Sequence, residues 1–162
     1  MRRFARLPTD EAGASIIELA LVAPVLAAVI LGMTDLARAY TMSVQLQQAA
    51  QRAIERVQQN TTASSNYTYV QTEATTAATA AGYSGSTATV NYRLECNGTV
   101  KEQTTGAALA STSVCNSGET YARYVSVTVS NKYTPLFGTS YFPGADANGK
   151  VTITGYAGIR VQ

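Results

Sequence analysis

The sequence predicts an α+β chain. One long N-terminal helix, membrane-spanning in its first part, packs on a small antiparallel β-sheet outer domain with one disulfide. Three observations predict it. An apolar run extends from Ile16 to Met33. A stretch without Gly or Pro then continues from Thr34 to Gln59 with apolar residues at three- and four-residue steps. Beyond it come three segments in which apolar and polar residues alternate, the period of a half-buried strand.

The order of elements follows from these runs. Residues 1–13 form a short leader carrying Arg2, Arg3 and Arg6, and residues 14–33 are the transmembrane part of the helix. The apolar run is close to the roughly 20 residues that cross a bilayer core. Arginines on the leader place it in the cytoplasm by the positive-inside rule, which puts everything after Met33 outside. Residues 34–59 continue the helix as an amphipathic rod, with Ala39, Met42, Leu46, Ala49, Ala53 and Val57 as its apolar stripe and Ile54 widening it. Gln45, Gln48, Gln51, Arg52 and Glu55 supply the polar side. The helix is expected from about Ser15 to about Gln58. Pro24 lies inside it and removes one backbone donor, a candidate kink.

Residues 60–162 form the extracytoplasmic domain. Asn60 to Asn66 is polar and breaks the helix, and a shorter helix follows over Tyr69 to Ala80, ended by Gly82 and Gly85. Strands are expected over Thr87–Cys96, Tyr121–Tyr133 and Lys150–Val161. In the first, Val90, Tyr92 and Leu94 share one face; in the second, Tyr121, Val125, Val127 and Val129; in the third, Val151, Ile153, Ile159 and Val161. Gly155 and Gly158 mark a bulge or a close approach of another backbone. Leu46, Ala49, Ala53 and Val57 are the expected packing partners of the sheet. The segment Thr134 to Gly149 reads as a long loop capped by Phe137, Tyr141 and Phe142, with Asp146 and Asn148 as turn residues.

Cys96 and Cys115 both fall on the outer side of the predicted membrane, where an isolated pair reads as a disulfide. The segment between them, rich in Gly, Ser and Thr with little apolar periodicity, reads as a loop. A metal site would need further ligands, and a redox motif would need Cys-x-x-Cys.

Composition excludes most chemistry. The chain has no histidine and a net charge of +2, so neither a Ser-His-Asp nor a Cys-His arrangement can be built. No glycine-rich phosphate loop follows a strand, and Glu95, Glu102, Glu119 and Asp146 are dispersed. No catalytic residue, metal site or cofactor is expected, and the chain does not read as an enzyme. Basic residues are scattered rather than clustered, which argues against nucleic acid as a partner.

What remains is the start of the apolar run. Gly13 precedes it, Ala14 follows, and Glu18 sits inside it. An unpaired carboxylate within a bilayer costs about 2.5 kcal/mol or more, so Glu18 needs a reason to be there. A secretory signal peptide would carry its small-residue cleavage site behind the apolar centre rather than ahead of it. An uncleaved single-pass anchor accounts for the topology and leaves Glu18 snorkelling to the cytoplasmic headgroups. The third reading is a resemblance to the type IV prepilin signature, in which a peptidase cuts after the glycine and the glutamate serves assembly.

The resemblance extends further. Gly13-Ala14-Ser15-Ile16-Ile17-Glu18-Leu19-Ala20-Leu21-Val22 resembles the Gly-x-x-x-x-Glu-Phe-Ala-Leu pattern of the TadE-like family, with Leu19 in place of the frequent Phe. The family comprises pseudopilins (minor pilins) of tight-adherence pili. Leu21 to Leu26 with its proline, the exit Gly32 to Ala39, and Gln45 to Ala50 with Arg52 are also similar to it. In the exit segment Asp35 replaces the family's Glu and Ala37 its Gly. The resemblance implies a pilin-like helix cut between Gly13 and Ala14 by a prepilin peptidase. It implies, as partners, other pilins and pseudopilins, the inner-membrane assembly platform and the lipid bilayer. It implies a role in pilus assembly, surface attachment and biofilm formation. In that setting the new amine of Ala14 and a neighbouring subunit's Glu18 would neutralise one another within an apolar bundle. The alternative is a membrane-anchored assembly factor of the same topology that never enters a filament.

Overall fold

The computed structural model describes residues 11–59, 67–106, 113–136 and 144–161. The leader residues 1–10 and the aromatics Phe137, Tyr141 and Phe142, with the cap expected of them, lie outside the described residues.

Helix α1 runs from Glu11 to Gln59 as one element of 49 residues. At about 1.5 Å per residue this is about 74 Å, more than twice a bilayer core of roughly 30 Å. It starts four residues before the expected Ser15 and continues on both sides of Pro24. Its two halves have different surroundings. From Ile16 to Met33 the large apolar side chains are exposed, whereas Met42, Leu46, Ala49, Ala50, Ala53, Ile54 and Val57 are buried in the core. The predicted stripe is therefore the packing face, and the small alanines let the sheet approach closely.

Helix α2, Thr68–Ala80, buries Val70, Ala74, Ala77 and Ala78. Its threonines Thr72, Thr75 and Thr79 return their hydroxyls to carbonyls four residues back, which satisfies them within the helix. It ends in a Schellman arrangement. Gly82 takes φ 95°, its N–H donates to Thr79 O, and Tyr83 N–H donates to Ala78 O.

The sheet has four strands, β1 Thr87–Cys96, β2 Thr99–Thr105, β3 Tyr121–Tyr133 and β4 Val151–Arg160, in the order β2-β1-β3-β4 with every pair antiparallel. Val90 lies opposite Val127 and Tyr92 opposite Val125. These four, with Leu94 and Val129, are the fully buried face of the sheet, and α1 and α2 cover it. Tyr121, expected on that face, is 48% exposed at the strand's end.

β2 corrects the sequence reading, which placed a loop between the cysteines. Asn97 (φ 51°) and Gly98 (φ 78°) form the two-residue turn of a tight hairpin, with Cys96 paired to Thr99 across it. Thr120 N–H and hydroxyl both donate to Asn97 Oδ1, which ties the turn to the start of β3. β2 lacks apolar alternation because it is an edge strand with five of its seven residues exposed.

Candidate functional site

The sequence-predicted site residues fall at three places. Gly13 and Ala14 lie in the backbone of the first turn of α1. Glu18, one turn on, is exposed on the same helix, and no described residue pairs with it. Its neighbours on the helix are apolar, so within a bilayer the charge would be costly unless a partner reaches it.

Cys96 and Cys115 form a disulfide with Cα atoms 5.6 Å apart, as expected from their shared compartment. The bridge joins the end of β1 to the segment leading into β3. Glu119 lies within ligand reach of both sulfurs. The sulfurs are bonded to each other and offer no thiolate, and Glu119 instead accepts from Asn116 N–H at 2.7 Å and from its side-chain amide at 3.3 Å.

Asp35 is the residue whose importance the sequence did not reveal. It stands two positions past the end of the apolar run and is 2% exposed. Tyr133, the last residue of β3, donates its phenol to Asp35 Oδ1 at 2.6 Å and reaches Asp35 O at 3.1 Å. Leu136 N–H donates to both carboxylate oxygens at 2.9 and 3.0 Å. A buried carboxylate held by several donors is tolerated, and these donors fasten the helix to the sheet just where it leaves its exposed segment. Burial, then the hydrogen bond and negative charge of Asp35, push the Tyr133 phenol up to about 12. The acid was visible as a position in the family pattern. Its donors lie about a hundred residues on, and no local spacing announces them.

A second seam lies twelve residues further along α1. Gly155 is buried at the centre of β4, and a Cβ there would collide with the backbone of Leu46 and Gln47. The glycine is the close approach that the sequence suggested. At the same point the side-chain amide of Gln47 donates to Tyr156 O at 2.5 Å and accepts from Tyr156 N–H at 3.0 Å. It thus occupies the outward backbone pair of an edge strand, where another strand would otherwise dock.

These features describe a membrane-sized apolar helix welded to a small sheet, and residues 13–54 match the model of the TadE-like protein family. The N-terminal segment is similar to that family. The match opens on Gly13, includes Glu18, Asp35 and Gln47, and closes at Ile54 within the buried stripe. No curated protein and no solved structure gives a match. The TadE-like family implies a protein associated with the Tad pilus and with its other components. The single long apolar helix fits a single-pass membrane anchor.

Proposed function

We propose that this chain is a pseudopilin, a minor pilin needed to assemble a tight-adherence pilus, acting in surface attachment and biofilm formation and catalysing nothing itself. The observation that carries the reading is the TadE-like match over a helix that is bare from Ile16 to Met33 and core-forming from Met42 to Val57. Such a helix stores its first half in lipid and offers that same half to neighbouring helices once it leaves the bilayer. In this reading the leader is cytoplasmic, a prepilin peptidase cuts between Gly13 and Ala14, and the sheet faces the extracytoplasmic side, where Cys96 and Cys115 oxidise. Glu18 then pairs with the Ala14 amine of a neighbouring subunit, which relieves the charge inside an apolar bundle.

The test is the N-terminal sequence and intact mass of protein taken from membranes of cells with and without the prepilin peptidase. A mature chain beginning at Ala14 only when the peptidase is present is the expected result. A chain that keeps Met1 or Arg2 in both cells overturns the pilin pathway and leaves a plain anchor.

A further inference from the structure

Where α1 leaves its bare segment, a cavity of about 810 Å³ opens between the helix, the turn after α2 and the end of β3. Its wall changes character along the helix axis. Along α1, Ile30 and Met33 at the close of the apolar run come first and Arg38 lies beyond them, while β3 contributes Lys132. Ile30 and Arg38 are eight residues apart, about 12 Å along a helix, which carries the wall from hydrocarbon depth through the headgroup zone. Among the described residues, no Asp or Glu lines the cavity.

The polar groups of the wall are arranged to accept negative charge. The carbonyls of Tyr83 and Ser84, which would repel an anion, are covered by the Asn131 amide at 3.1 and 3.2 Å. Behind the wall, the carboxylate of Asp35 is held by Tyr133 and Leu136. Lys132 shares its ammonium with Asp146 at 2.6 Å, but an ammonium has three donors and the side chain is 55% exposed. Arg38 is exposed and presents a planar fork suited to phosphate oxygens.

We propose that this cavity seats the headgroup of an anionic phospholipid from the leaflet at the helix exit. Its acyl chains run along Ile30 and Met33, and its phosphate meets Arg38, with Lys132 as the second donor. Charge complementarity and the apolar-to-cationic gradient select a lipid over a soluble anion, because a free phosphate has no use for the Ile30 and Met33 wall. The site needs only the membrane anchor, whether or not the chain enters a pilus. A bound lipid would hold the sheet at a fixed height above the bilayer.

The full chain is reconstituted in bilayer nanodiscs of phosphatidylcholine with a minor share of phosphatidylglycerol, released into mild detergent, and weighed by native mass spectrometry. The wild type is expected to retain one phosphatidylglycerol against the phosphatidylcholine excess. R38Q/K132Q is expected to lose that enrichment by about tenfold or more, since each surface cation contributes about 1 kcal/mol toward anionic lipid. K101Q, which removes a cation from the distant strand β2, should retain it. Arg38→Gln alone should show a loss of about fivefold, so a folding failure of the double variant cannot hide the result. Equal enrichment in wild type and R38Q overturns the proposal, as does a wild type that holds either lipid indifferently. Displacement of the lipid by millimolar glycerol phosphate would assign the cavity to a soluble anion instead, and a protein dimer retaining no lipid would assign it to a second copy; either overturns it.

Discussion

Tyr133 donates its phenol to Asp35 Oδ1 at 2.6 Å, which links the end of β3 to the helix immediately beyond its apolar run. Tyr133→Phe keeps the ring and removes the donor. The buried carboxylate then loses its shortest hydrogen bond while keeping the Leu136 N–H, and the expected loss is about 1–3 kcal/mol. Thermal or urea unfolding of the full chain in detergent measures it. An unchanged midpoint would show that the carboxylate is satisfied without the phenol.

The same pair sets an alkaline limit. The phenol is raised from its usual 10.0 to about 12 in the folded chain, so the folded state favours the neutral form. Stability from this group is fully present below pH ~10 and is lost as the pH climbs from there through ~12, because the unfolded chain gives up the proton first. Unfolding followed by circular dichroism across this window should fall steeply in the wild type and less steeply in Tyr133→Phe. Parallel slopes would remove Tyr133 as the cause.

Gly155→Ala places a methyl against the backbone of Leu46 and Gln47. Backbone cannot swing aside as a side chain does, so the helix must lift from the sheet, at an expected cost of about 1–3 kcal/mol or more. Gly158→Ala is the matched control. Its Cβ would lie 3.1 Å from Ser126 Cβ and from the Tyr156 hydroxyl, and the tyrosine end can move. Unfolding midpoints should therefore rank wild type, then Gly158→Ala, then Gly155→Ala.

The disulfide closes a loop with a sequence separation of 19. Replacing both cysteines by serine should cost about 3 kcal/mol through the freed unfolded chain. The tight Asn97-Gly98 turn lies inside that loop and holds part of the same geometry, so the oxidised and reduced chains should share the β1–β2 hairpin. Equilibrium unfolding with and without reductant measures the difference, and amide exchange at Thr99 to Thr105 reports the hairpin.

Glu18→Ala tests assembly separately from folding. The side chain touches no described partner, so the monomer in detergent should keep its unfolding midpoint. Cleavage after Gly13 should persist, and incorporation into sheared pili should be lost. Normal pili carrying the variant would remove the pairing role and favour an anchored assembly factor.

How much of this was legible depends on distance along the chain. The bounds of Thr87–Cys96 and Tyr121–Tyr133 were readable because buried positions recur at every second residue, throughout the first and from Val125 to Val129 in the second. The stripe Leu46, Ala49, Ala53 and Val57 announced its own burial in the same way. β2 was missed because an exposed edge strand needs no apolar face; its signal was the Asn97-Gly98 pair between two extended segments, a turn cue rather than a periodic one. The seat of Asp35 depends on Tyr133 and Leu136 folding back from the far end of the sheet, and no pattern within a window of sequence carries that information.

The absence of any joint in α1 between its bare half and its buried half has a mechanical consequence. A domain on a flexible stalk would absorb a pull on its anchor as slack. Here Asp35, Gln47 and Gly155 hold the part of α1 beyond the apolar run against the sheet at three points, so that part and the sheet turn together. The sheet has no slack of its own, and its heading is set by the helix segment it is fastened to.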